Sequence, residues 1–248
     1  MTKKRKTVRI VKWVRVLVLI MIISLITCAI ILTLALTATN SGNLLVSERR
    51  FYMVATSRNT SLTYANRDAV ALRTMGGAGF VLNNQDAFYT IAAVYASHQD
   101  ALAVANRLSL QEGFSASVFV RVSPRITKRA SCENEAEVFS TLLVRPLELI
   151  ESLTTLSLDL SANSVTDSHA LWLLNSKRSG LLTLSTYIAN LDNNFIFAKP
   201  ILNEFYTTML TAFTNASALN FSSNLSVNIL HLVPLIIEAY HNTVSFLS

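Results

Sequence analysis

Apolar positions keep three different rhythms along the chain. Val16 to Leu36 is a predominantly apolar run of 21 residues without a charge, as long as the roughly 20 residues that a helix needs to cross a bilayer core. Residues 51–122 alternate short apolar runs with segments of helical period. From Glu133 onward the apolar positions recur three or four apart, the spacing that puts them on one helix face.

The middle rhythm is a duplication. Phe51 and Tyr52 recur as Phe88 and Tyr89, 37 positions later, and Val54, Ala55, Gly76 and Val81 recur as Ile91, Ala92, Gly113 and Val118. Each copy reads strand, helix, strand. Phe51–Ala55 is too short and too aromatic for a helix. The polar run Ser57–Ser61 leads into a helix with Ala65, Ala69 and Leu72 on one face, ended by Gly76-Gly77. Gly79–Leu82 is the second strand, and Asn83–Asp86 turns into Phe88–Ala92. The second helix shares Ala101, Val104, Ala105 and Leu108 on a face and stops at Gly113, before Ser117–Val120. The order is βαββαβ. Right-handed crossovers put both helices on one side of the sheet and leave the other face bare, free to act as a binding platform.

The third rhythm predicts four helices of ~20–28 residues, an up-down bundle of the kind that packs helices antiparallel. Asn134 to Glu137 has the form of a capping box. The run Val138–Leu160 contains Pro146, expected to kink or split it. Asp167 opens the second segment, with Leu171, Leu174, Leu181, Leu184, Ile188 and Leu191 in phase. Pro200 opens the third, with Ile201, Leu202, Phe205, Met209 and Phe213. Leu225, Ile229, Val233, Ile236, Ile237, Tyr240 and Val244 mark the fourth. Asn228, His231, Glu238 and His241 interrupt it, which disqualifies it as a second membrane span.

Phe51-Tyr52-Met53-Val54, Ala65, Gly76-Gly77-Ala78-Gly79-Phe80-Val81, Tyr89, Tyr95-Ala96-Ser97, Ala101 and Gly113 together resemble a SPOR (sporulation-related repeat) domain over residues 51–122. The resemblance implies a bacterial, envelope-facing module that binds peptidoglycan, with a preference for glycan strands stripped of stem peptides. If glycan binds the sheet, one alternation parity presents Tyr52, Val54, Tyr89 and Ile91, with Tyr95 beside them. The other parity presents Phe51, Met53, Phe88 and Thr90. The family pattern has a glutamine at the position of Val54, which favours the first set. Where the family has Gln, Gly and Phe, this chain has Val54, Thr56 and Arg58. These departures favour a second reading, an interaction or scaffold protein whose module pairs with protein instead of glycan.

Charge sets the expected topology. Seven basic residues and no acidic one precede the apolar run, and Trp13 stands at an interfacial position. The positive-inside rule then holds residues 1–15 in the cytoplasm and sends residues 40–248 across a bacterial cytoplasmic membrane on a single helix at 16–38. A cleaved signal peptide is the competing account of the run, although its apolar core is usually ~7–15 residues long. Residues 40–132 hold ten basic and five acidic side chains, and residues 133–248 hold four and ten. The middle excess flanks the repeat, at Arg49, Arg50, Arg121, Arg125, Lys128 and Arg129. The βαββαβ order brings these cations to one edge, as solvated linker charge or as a contact for anionic lipid headgroups or wall polymers. Within residues 51–120 four basic side chains balance four acidic ones. That neutrality speaks against RNA on the sheet, so no nucleic acid partner is expected.

Nothing in the sequence points to catalysis. His98, His169, His231 and His241 lack metal-ligand spacing, and Gly76-Gly77-Ala78-Gly79 precedes a strand and lacks the lysine of a phosphate loop. Glu148 and Glu151 read as a helix's wet face instead of the paired carboxylates of a wall hydrolase. Cys28 lies in the apolar run and Cys132 beyond it, so the two form no internal disulfide.

The expected fold is α+β: a ferredoxin-like βαββαβ module at 51–122 after one transmembrane helix, joined by linkers at 39–50 and 123–132 to an all-α bundle at 133–248. The expected protein binds peptidoglycan without catalysis and without a cofactor, in division or sporulation. The bilayer and a protein partner on the acidic bundle complete its contacts.

Overall fold

The computed structural model describes residues 43–111, 114–129, 133–191, 198–218 and 224–248. The chain divides into two compact units, Met1–Leu44 with Arg129–Val138 and Leu45–Lys128 with Phe139–Ser248. The strands are β1 (Asn43–Val46), β2 (Arg49–Asn59), β3 (Phe80–Asn84), β4 (Ala87–Tyr95), β5 (Ser117–Ser123) and β6 (Ile126–Arg129). Between them lie α1 (Leu62–Thr74) and α2 (His98–Gln111). Four longer helices follow: α3 (Glu133–Ser161), α4 (Asp167–Ala189), α5 (Lys199–Ala218) and α6 (Leu225–Leu247).

The second unit is α+β and is built on a four-stranded antiparallel sheet in the order β3-β4-β2-β5. Each repeat copy supplies one inner and one outer strand. Both helices of the duplication lie on one face of the sheet. Val54 and Ala92 from the sheet form one buried cluster with Leu72 of α1 and Ala101 and Ala105 of α2. Alanines on the helix faces let the helix axes come close to the strands. The turn after α1 uses glycine twice: Gly76 has φ +92 and Gly79 has φ +53. A Cβ at Gly79 would stand 2.4 Å from the carbonyl oxygen of Ala69.

The fold departs from the expected class in three respects. Among the described residues no helix is long and apolar enough to cross a membrane. The run expected to form a transmembrane helix at 16–38 lies outside the described residues, as do the basic tail, Gly113 and Cys132. The second departure concerns the sheet face opposite α1 and α2, which is covered by α6. Phe51 meets the Tyr240 ring edge-on at 6.4 Å, Phe80 lies 5.7 Å from the His231 ring, and Arg121 pairs with Glu238. Twelve of the residues of α6 are buried, because a helix that is apolar nearly all round needs cover on more than one side. It packs on α5 on one side and on the sheet on the other, and α4 packs on α5. Leu45–Lys128 and Phe139–Ser248 thus form one compact unit.

The third departure is Pro146, which neither splits nor ends α3. Proline removes the N–H that would bond the carbonyl four residues back, here that of Leu142. The Tyr206 hydroxyl of α5 donates to that oxygen at 2.9 Å. Farther along α3, Ser157 and Ser161 bond Ser226 in the first turn of α6, with Ser157 Oγ donating to the Ser226 carbonyl at 3.0 Å.

Candidate functional site

The residues expected to share one sheet face do not share it. Tyr52 pairs with Tyr95 and Val54 with Ala93, all on the helix-covered side. Between Val54 and Ser57 the register of β2 against β4 slips twice. Each slip leaves a residue unmatched, Thr56 on β2 and Ala92 on β4, and such bulges re-aim the side chains beyond them. Ile91 consequently faces the other way, beside Phe80, and Tyr89 lies beside Leu82 with its ring 5.4 Å from that of Phe119. Strict alternation cannot be carried across an inserted residue.

Each side chain of the set has a definite place. Val54 and Ile91 are fully buried (0%) on opposite faces and present no surface to a ligand. Tyr52 is partly buried with its ring 5.3 Å from that of His98. Tyr95 is partly buried against the Val54 cluster, and burial raises its hydroxyl pKa above the usual tyrosine value. Tyr89 is partly buried and borders an open groove of about 570 Å³ with Thr56, Ser57, Arg58, Ser115 and Ser117.

The basic edge forms where topology places it. Arg49 lies opposite Ser123, Arg50 opposite Val122 and Phe51 opposite Arg121. Arg49, Arg50 and Arg125 are exposed. Arg50 bonds Glu48 at 2.8 Å, whereas Arg121 turns inward to Glu238 of α6. The side chains of that pair are only 16% and 20% exposed. Sequence reasoning missed Glu238 as a partner; a carboxylate inside the most apolar helix was the available signal.

The polar positions of α6 are its contacts with the sheet side. His231 Nδ1 lies 2.9 Å from the Ala78 carbonyl, and Arg73 Nη2 lies beside both ring nitrogens, 3.0 Å from Nδ1 and 3.2 Å from Nε2. A neutral ring with its proton on Nδ1 donates to the carbonyl and leaves Nε2 to accept from the guanidinium. Burial lowers the His231 pKa and Arg73 lowers it further, against a smaller opposing effect of the Ala78 bond. His241 is lowered by burial and by Arg121, against Glu238 and the backbone of Val122. Around this pair Arg121 Nε, Ser123 Oγ, Glu238 Oε2, Tyr240 Oη and His241 Nδ1 are buried without a protein partner.

A larger cleft of about 770 Å³ opens where the start of β2 and the end of β4 meet α3. Glu48, Arg49, Arg50, Phe51 and Tyr95 line it from the module, and Glu148, Glu151, Thr154 and Thr155 from α3, with Val233 of α6 beside them. Three side chains from the sequence-derived sets, Tyr95, Arg49 and Arg50, come together here. Glu148, which bonds Arg145 at 2.9 Å, and Glu151 stand across from them.

No protein-family model and no curated protein matches the chain. Among solved structures, the peptidoglycan-binding domain of the B. subtilis cell wall lytic enzyme CwlC is a structural neighbour. The match covers 31% of this chain and 95% of that one, at 21% identity and a TM-score of 0.27.

Among the described residues no group of three or more His, Cys, Asp or Glu could hold a metal ion. The surfaces suit binding: partly buried aromatic rings, hydroxyls and planar charged groups around grooves that bury a ligand's faces and hydrogen-bond its edges.

Proposed function

We propose that this protein is a non-catalytic binding protein of the bacterial envelope, attached outside the cytoplasm to the glycan strands of peptidoglycan during division or sporulation. The observation that supports it is the duplicated module. Two copies of one motif build a single antiparallel sheet with both helices on one face, the form that the SPOR resemblance of residues 51–122 implies. The test is co-sedimentation of the full-length protein with purified sacculi, before and after an amidase has removed the stem peptides. Binding that increases after amidase treatment is the expected result. A protein that stays in the supernatant with both preparations removes the reading.

A second reading is an interaction protein that has given up glycan. The closed sheet favours it, because the face that could act as a platform is occupied by the chain's own α6. Pull-down of envelope proteins on the immobilised chain, with no binding to sacculi, is the outcome that this reading expects.

A further inference from the structure

The inference rests on the glycan reading and concerns where the sugar sits. We infer that a neutral N-acetylhexosamine chain binds in the cleft between the open end of the sheet and α3, so that a helix outside the duplicated module supplies half of the site.

Three observations point there. The sheet face opposite α1 and α2 is closed by α6, with Phe51 edge-on to Tyr240 and Phe80 tilted against His231. The cleft, at about 770 Å³, falls within the range of small-ligand pockets, ~300–1,000 Å³. Its lining also selects among ligands by charge. Glu148 and Glu151 of α3 face Arg49 and Arg50 across it, and Glu48 stands beside those arginines, bonded to Arg50 at 2.8 Å. Nearly balanced charges attract neither a polyanion, such as a teichoic chain or an acidic membrane, nor a polycation.

What remains is an amphipathic, hydrogen-bonding, uncharged ligand. Tyr95 offers ring surface to the C–H face of a sugar and to an acetyl methyl. Glu151 and Glu148 accept from hydroxyls and from the acetamide N–H, and Arg49 donates to the acetyl carbonyl. Thr154 and Thr155 extend the hydroxyl rim along α3.

The test uses the full-length protein, the N-acetylglucosamine tetramer and calorimetry, with sacculi sedimentation run alongside. Tyr95→Ala reaches into the Val54 cluster and can unfold the module. Glu151→Ala and Thr155→Trp therefore carry the test, because both positions are exposed on α3. Expected is binding by the wild type, a loss of at least about fivefold for Glu151→Ala, and near-complete loss when Thr155→Trp fills the cleft. Tyr89→Ala, at the other end of the sheet, should bind as the wild type does. If both α3 variants bind tetramer and sacculi like the wild type, the cleft is not the site and the glycan reading stands on another surface. A loss confined to Tyr89→Ala overturns the cleft in favour of the Tyr89 groove. A wild type that binds neither tetramer nor sacculi overturns the cleft and the glycan reading together.

Discussion

The Tyr206 hydroxyl donates to the carbonyl oxygen of Leu142, the acceptor that Pro146 leaves without a helical partner. Both residues are buried, and burial raises the Tyr206 pKa far above its ordinary value, so the phenol stays a donor throughout the accessible pH range. Tyr206→Phe should cost about 1–3 kcal/mol, the penalty for a buried carbonyl left unpaired. In a Pro146→Ala background the restored N–H satisfies Leu142, and the same change should cost well under about 1 kcal/mol. Urea denaturation of the four proteins measures the difference. Equal costs in both backgrounds would show that the two residues are uncoupled.

Arg121 and Glu238 fasten α6 to β5 with little exposure to solvent. Removing one member leaves the other as a buried lone charge, so Glu238→Ala should destabilise by about 3 kcal/mol. Replacing both, as Arg121→Met with Glu238→Leu, should recover most of that loss, since buried ion pairs repay little more than their desolvation. Amide hydrogen exchange should rise in β5 for the single variant and not for the double. Unchanged exchange in the single variant would show that α6 is held by its apolar contacts alone.

Stability should fall on mild acidification. His231 and His241 both titrate below the ordinary histidine value of about 6.5 in the native protein. The unfolded chain therefore takes up protons first as the pH drops. Stability is full above about pH 6.5, declines below it, and levels off only beneath the lowered native values. Protonated His231 would lose its bond from Arg73 and face that cation directly. Denaturation midpoints between pH 7.5 and 5 should fall for the wild type and fall less for His231→Asn. A His231→Asn protein with an unchanged slope assigns the effect to other groups.

Two glycines should respond in opposite directions. Gly79→Ala combines a positive φ with a Cβ placed 2.4 Å from the Ala69 carbonyl oxygen, and should lose about 2 kcal/mol or more. Gly180 lies inside α4, and a methyl group there would meet nothing within 4 Å. Gly180→Ala should gain about 0.5–1 kcal/mol from helix propensity. Thermal melts of the two variants decide both.

Most of the elements were legible because their causes are local. The short aromatic run Phe51–Ala55 follows from local composition, and the alanine faces of α1 and α2 and the leucine spacing of the later helices follow from a repeat distance. The facing of Tyr89 against Tyr52 was not legible. A bulge at Thr56 and Ala92 inserts a residue without any compositional mark, and a copy-to-copy match cannot show it. The position of α6 was only half legible. His231 and Glu238 are seven residues apart, two helical turns, and so share a face of an otherwise apolar helix. That pattern asks for a polar partner on the same side as an apolar one. Which surface answers it depends on contacts made more than a hundred residues away, with Arg73 and Arg121.

The cover over the sheet comes late in the chain. Strand β5 ends at Ser123 and α6 begins at Leu225. At ~5–20 residues per second a ribosome takes on the order of 5–20 s to make the intervening stretch. A sheet formed within that interval would expose Phe51, Met53 and Phe80 between two unpaired edges to neighbouring nascent chains. The yield of native protein is then set by a race between elongation and association, and rare codons between residues 124 and 224 should lower it.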